Sequence, residues 1–207
     1  MMSVETVMAR MTELQSALAP RTPVVAQQVA APAAQNATQF ATMLNAAGVP
    51  PAAGAAAPGG GPGAKIAALA AAEVGVKEQP PGSNDSPRIA EYRKSTAGAP
   101  GPGPWCAYFA SWAAKEAGVP LGNNGQGFAS VDQLYAWAQS AGKANPASSG
   151  KPPKAGDLII WDEHMGIVES VGPDGSIKTV EGNSSDSVAS RTYGKDGGGA
   201  IGYVSMS

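Results

Sequence analysis

The hydrophobic positions follow a helical period through the first three quarters of the chain and a period of two after that. Near the start, Val4, Val7, Met11, Leu14 and Leu18 recur at spacings of 3 and 4 residues, the stripe of an amphipathic helix. Ser3 suits its N-cap, Glu5 its first turn, and Pro20 ends it. A weaker face follows at Phe40, Met43, Leu44 and Ala47. Helices this short are unstable alone in water. Residues 1–45 therefore read as a flexible helical arm for docking or export, or as an unstructured tail with chance periodicity. Helical spacing resumes over 64–74, closed by Gly75, and over 87–94, where Ile89, Ala90 and Arg93 share a face behind Pro87. It continues over 105–116, with Trp105, Phe109 and Trp112 on one face, and over 131–140, with Leu134, Trp137 and Ala138 inward. From Gly156, residues 157–161, 164–171, 176–181 and 201–205 read as strands. Gly172-Pro173-Asp174-Gly175 and Asp196-Gly197-Gly198-Gly199 mark turns. Helices followed by antiparallel strands predict an α+β domain.

Composition divides the chain. Across residues 46–64 only Val49 is not Ala, Gly or Pro, so the segment has almost nothing to bury and reads as a linker. The expected organisation is an arm (1–45), a linker (46–64) and a domain (65–207). Net charge is −2, which excludes the clustered basic footprint of a nucleic-acid binder and a polybasic membrane anchor. Polar residues interrupt every early apolar run, so no secretory signal peptide is expected, and no stretch approaches a membrane span. A single Cys and a single His exclude an internal disulfide, a Cys-rich zinc site and a multi-His metal site. The triple glycine at 197–199 lacks the strand–helix context of a phosphate loop.

The chemistry concentrates on few residues. Cys106 falls in the first turn of its helix, where the dipole and free N–H groups stabilise a thiolate. Read alone, it equally suits a small buried hydrophobe. His164 opens a strand and is the one imidazole available to exchange a proton with that thiol. A third group must orient the ring. Glu181 shares a strand face with Ile177 and Thr179, and Asn183 joins that face if the strand extends so far. Asp162 is a rival on the face of His164.

The segments PWCAYFASW, GDLIIWDEHMGIVES and TVEGNSSD, preceded by KEQPPGSNDSPRIAEY, resemble the CHAP family of cysteine, histidine-dependent amidohydrolases/peptidases. The resemblance spans about residues 65–207. It implies a papain-like α+β fold, with helices carrying the Cys packed on an antiparallel sheet carrying the His. It further implies a peptidoglycan amidase or endopeptidase with Cys106 as nucleophile, His164 as base and then acid, and Glu181 and Asn183 orienting. No cofactor is implied. The calcium bound by some relatives is not expected here, because the loop before Cys106 reads PGPGP without carboxylates. Trp105, Tyr108 and Trp161 are candidate cleft walls, although their spacing also fits core, and Asn84 is a candidate lining residue. A non-catalytic peptidoglycan-binding scaffold is the alternative. The charge-poor arm resembles the N-termini of flagellar axial proteins. Export through a flagellar-type channel, or delivery with a phage, would bring a wall hydrolase to an extracellular or periplasmic site, with a flagellar rod or hook protein or a phage structural protein as partner.

Overall fold

A computed structural model describes residues 60–206 of the chain. The arm expected over 1–45 lies outside the described residues, as does most of the linker. Helix α1 (Pro62–Ala72) starts before the expected residue 64, because Pro62 has the backbone preset for a first helical turn. It turns Ile66, Ala67 and Ala70 inward. Helix α2 (Pro87–Arg93) is capped by Ser86, whose hydroxyl accepts from the Ile89 N–H, and buries Ile89 and Tyr92. Helix α3 (Cys106–Glu116) has every residue from Cys106 to Ala114 buried, so it is a central helix rather than a one-faced one. Helix α4 (Val131–Ser140) is capped by Ser130 and buries Val131, Leu134 and Ala138, with Trp137 half-buried against Phe128.

The sheet is six-stranded and antiparallel, in the order β1-β6-β2-β3-β4-β5. Its strands are β1 (Ala144–Pro146), β2 (Leu158–Ile160), β3 (Met165–Val171), β4 (Ile177–Glu181), β5 (Ala189–Tyr193) and β6 (Gly202–Val204). The α+β architecture is the one expected. The expected strands match β2, β3, β4 and β6 to within a residue or two, whereas β1 and β5 have no counterpart in the period-two reading. His164 precedes β3 rather than opening it.

Alternation sends Leu158, Ile160, Ile167, Val180 and Val204 into the main core with the helices. Ile159, Val168, Ile177 and Tyr203 form a smaller cluster on the opposite face. Thr179 and Glu181 share that second face with Ile177. Between α1, α2 and α3 lies an aromatic group, in which Tyr92 meets Trp105, Phe109 and Trp112 at ring distances of 5.0 to 6.0 Å. The Tyr92 hydroxyl donates to Glu73, which also accepts two bonds from Arg88 at 2.6 and 2.8 Å. This packing fixes α3 against α2, and with it the position of Cys106. No helix among the described residues is long and apolar enough to cross a membrane.

Candidate active site

The first residue of α3 is Cys106, so no preceding turn offers a carbonyl to its N–H. Trp105, in the N-cap position, provides no side-chain cap, which leaves this helix end without a competing acceptor. Cys106 lines a cleft of about 470 Å³ with Pro104, Ser130, Asp132, Glu163 and Asn183.

His164 closes the tight connection between β2 and β3, where its carbonyl accepts from the Trp161 N–H at 2.9 Å. The preceding Glu163 takes a left-handed conformation, φ 59°. Trp161 stacks on the imidazole, with centroids 5.6 Å apart and planes 21° from parallel. The Trp161 indole N–H is held by the Gly197 carbonyl at 2.8 Å. Nε2 of His164 lies 3.0 Å from Oε2 of Glu181. Cys106 lies close enough to the ring to raise its pKa. With Nε2 engaged by Glu181, Nδ1 is the nitrogen left for the sulfur.

Glu181 is 1% exposed and accepts three bonds. His164 occupies Oε2, while the Thr179 hydroxyl at 2.7 Å and the Tyr193 hydroxyl at 2.9 Å both donate to Oε1. Burial alone would raise its pKa. The bonds from His164, Thr179 and Tyr193 outweigh burial and hold it below the usual carboxylate range. For His164, burial disfavours the charged ring, but contacts with Cys106 and Glu181 outweigh it and lift the imidazole to about 9. At neutral pH the ring is therefore a cation that donates from Nε2 to Glu181.

The backbone around this carboxylate is shaped by two glycines. A Cβ on Gly166 would meet Cγ of Glu181 at 2.7 Å, so glycine lets the acid lie across β3. A Cβ on Gly182 would meet Cβ of Phe109 at 2.6 Å, so the chain leaving β4 passes directly over α3.

Of the expected catalytic residues, Cys106, His164 and Glu181 are brought together. Asn183 is not on their strand face: β4 ends at Glu181, and Asn183 turns with φ 59° to line the cleft beside Cys106. Neither Asn183 nor the exposed Asp162 bonds the imidazole, which leaves Glu181 as its carboxylate partner. Two expected cleft walls are corrected. Trp105 is fully buried, with its indole N–H on Oε1 of Glu78 at 2.9 Å, and Tyr108 is 2% exposed in the helix core. Trp161 backs His164 rather than lining the cleft. Asn84 sits in a turn, φ 53°, with its N–H on Oε2 of Glu78 at 2.8 Å, and is likewise not a lining residue.

Sequence reasoning put Thr179 on the face of Glu181 without giving it a role, and passed over Tyr193 and Glu78. Thr179 was findable, since it precedes Glu181 by two on one strand face. Tyr193 lies on a strand with no hydrophobic alternation. Among the described residues, no group of three or more His, Cys, Asp or Glu is placed to hold a metal ion.

A family model described as the CHAP domain matches residues 98–183, from the loop before α3 to the turn after β4. The match contains Cys106, His164, Glu181 and Asn183. No curated protein matches the chain.

Proposed function

We propose, from the match of residues 98–183 to the CHAP domain model, that the C-terminal domain is a CHAP domain and that Cys106 is the nucleophile of a hydrolase cleaving an amide in the peptide part of peptidoglycan. The observation that carries the reading is the imidazole of His164, held 3.0 Å from the buried Glu181 and close enough to Cys106 for that residue to raise its pKa. The family supports peptidoglycan hydrolysis in general, with the wall as substrate. The thiolate attacks the amide carbonyl carbon, and the resulting oxyanion lies near the unpaired Cys106 N–H at the start of α3. As the tetrahedral species collapses, the C–N bond breaks, and His164 gives its proton to the departing amine. The neutral ring then takes a proton from water, whose oxygen attacks the thioester and restores the thiolate. Glu181 remains charged throughout and orients the ring. Asn183, in the cleft wall, contacts the substrate.

The test is digestion of purified peptidoglycan by the wild-type protein and by Cys106→Ala, with products identified by mass and by the new chain ends. Fragments released by wild type alone identify a cysteine-dependent amidase or endopeptidase by the bond cut. No release by either folded protein supports the non-catalytic wall-binding scaffold instead.

Residues 1–45 carry the second part of the reading, on the strength of the stripe from Val4 to Leu18. They dock the enzyme to a structural protein of a flagellar rod or hook, or of a phage particle, and the hydrolase works at the wall. Removing residues 1–45 should leave hydrolysis intact and abolish localisation. Loss of hydrolysis on truncation would contradict this assignment.

A further inference from the structure

The carboxylate that orients His164 is itself held from the far edge of the sheet. Tyr193 closes β5, beyond the end of the family match at residue 183. It pairs with Ile177 and so lies on the same sheet face as Thr179 and Glu181. Its hydroxyl donates to Oε1 of Glu181 at 2.9 Å, and the Thr179 hydroxyl donates to the same oxygen at 2.7 Å. Its ring leans on Trp161 at 5.1 Å, and Trp161 in turn stacks on His164. Tyr193 thus meets both groups that support the imidazole, the acid through its hydroxyl and the indole through its ring.

We infer that Tyr193, together with Thr179, is a positioning residue: the two hydroxyls saturate Oε1 of Glu181, so that the carboxylate stays charged and turns Oε2 towards His164. This rests on the catalytic reading of Cys106 and His164. A buried carboxylate that lost one of these donors would be easier to protonate and freer to rotate. Either change withdraws support from the imidazolium and hence from the thiolate. The groups acting on Glu181 are few. His164 reaches it from the turn before β3, and Cys106 on α3 acts through that ring. Tyr193 reaches it from β5, with Arg191 of the same strand acting on Tyr193. Lys178 of β4 and Glu169 of β3 are paired with each other at 3.0 Å. Gly166 of β3 and Gly182 beside α3 bring no charge.

The test uses the full chain, in which Cys106 is the single thiol, so an iodoacetamide adduct has one possible site. The rate of alkylation is measured by mass from pH 4 to 10 for wild type, Tyr193→Phe and Thr179→Val, with Thr192→Val as the control on β5. Tyr193→Phe keeps the ring against Trp161, and Thr179→Val keeps the branched shape inside the sheet. The low-pH limb should move up by about one pH unit in either variant, making alkylation at pH 6 about tenfold slower, and should move further in the double variant. Thr192→Val should superimpose on wild type. An activated wild-type thiol whose limb is unmoved by both substitutions would overturn the positioning role alone. A wild-type thiol alkylated only above about pH 8, like a free cysteine, would overturn the catalytic reading and the positioning role with it.

Discussion

Because His164 is the only histidine, its titration can be read directly by NMR without assignment ambiguity. The perturbation to make is Glu181→Gln. The imidazole rises from 6.5 to about 9, which at about 1.4 kcal/mol per tenfold amounts to about 3 kcal/mol of preference for the cation. The ring is 30% exposed, so solvent screening makes this an upper figure. Burial opposes the rise, the Cys106 contact favours it most, and Glu181 is the next support. In Glu181→Gln the carbonyl can still accept from Thr179 and Tyr193, while the amide nitrogen now points at Nε2. That nitrogen donates and therefore favours the neutral ring. The midpoint should fall by one pH unit or more, with the remainder supplied by Cys106. Stability follows with a fixed sign. The folded midpoint lies above the unfolded one, so the stabilisation is fully present below about pH 6.5 and disappears as pH rises through about 9. Urea unfolding of wild type should therefore weaken between pH 6 and 10 by more than that of Glu181→Gln. A wild-type ring titrating near 6.5, or a midpoint unmoved by Glu181→Gln, would refute the reasoning.

Three further substitutions probe the support of the site. Gly166→Ala places a Cβ 2.7 Å from Cγ of Glu181, which must retreat from His164. Hydrolysis should fall about a hundredfold for a stability loss of about 1–3 kcal/mol, and undiminished kcat would show that the acid does not need this close approach. Glu78→Ala leaves the indole N–H of Trp105 and the N–H of Asn84 without their acceptor, and urea unfolding should show a loss of about 2–4 kcal/mol; a loss under about 0.5 kcal/mol would remove Glu78 as the anchor of the α3 start. Asp157→Ala removes the acceptor of the Lys154 and Met206 N–H groups, so the melting temperature should drop by several degrees with kcat unchanged.

Cys106 and His164 were legible as the candidate pair because each is unique in the chain and each falls at or beside the end of a regular element, where a period can be read. Their acid was only half legible. Period two puts Ile177, Thr179, Glu181 and Asn183 on one face and cannot say where the strand stops. It stops at Glu181 because the next residue, Gly182, is pressed onto Phe109 and Trp105 of the α3 region, and that contact turns Asn183 to φ 59°. The aromatics misled for a related reason. Trp105, Phe109 and Trp112 make a one-sided stripe, but α3 is enclosed on all sides, so Trp105 and Tyr108 are interior although they flank the nucleophile in sequence. Strand β5 carries no hydrophobic alternation, since Ser190, Arg191 and Thr192 are all exposed, and only its last residue reveals what the strand does. A carboxylate 1% exposed remains charged only if donors surround it. Those of Glu181 come from two residues before it on β4, 12 residues after it on β5 and 17 residues before it in the turn ahead of β3. The first separation is local and follows from strand geometry. The other two exist only once the sheet has set the register of β4 between β3 and β5, so the identity of the orienting acid is a property of the assembled sheet rather than of any segment within it.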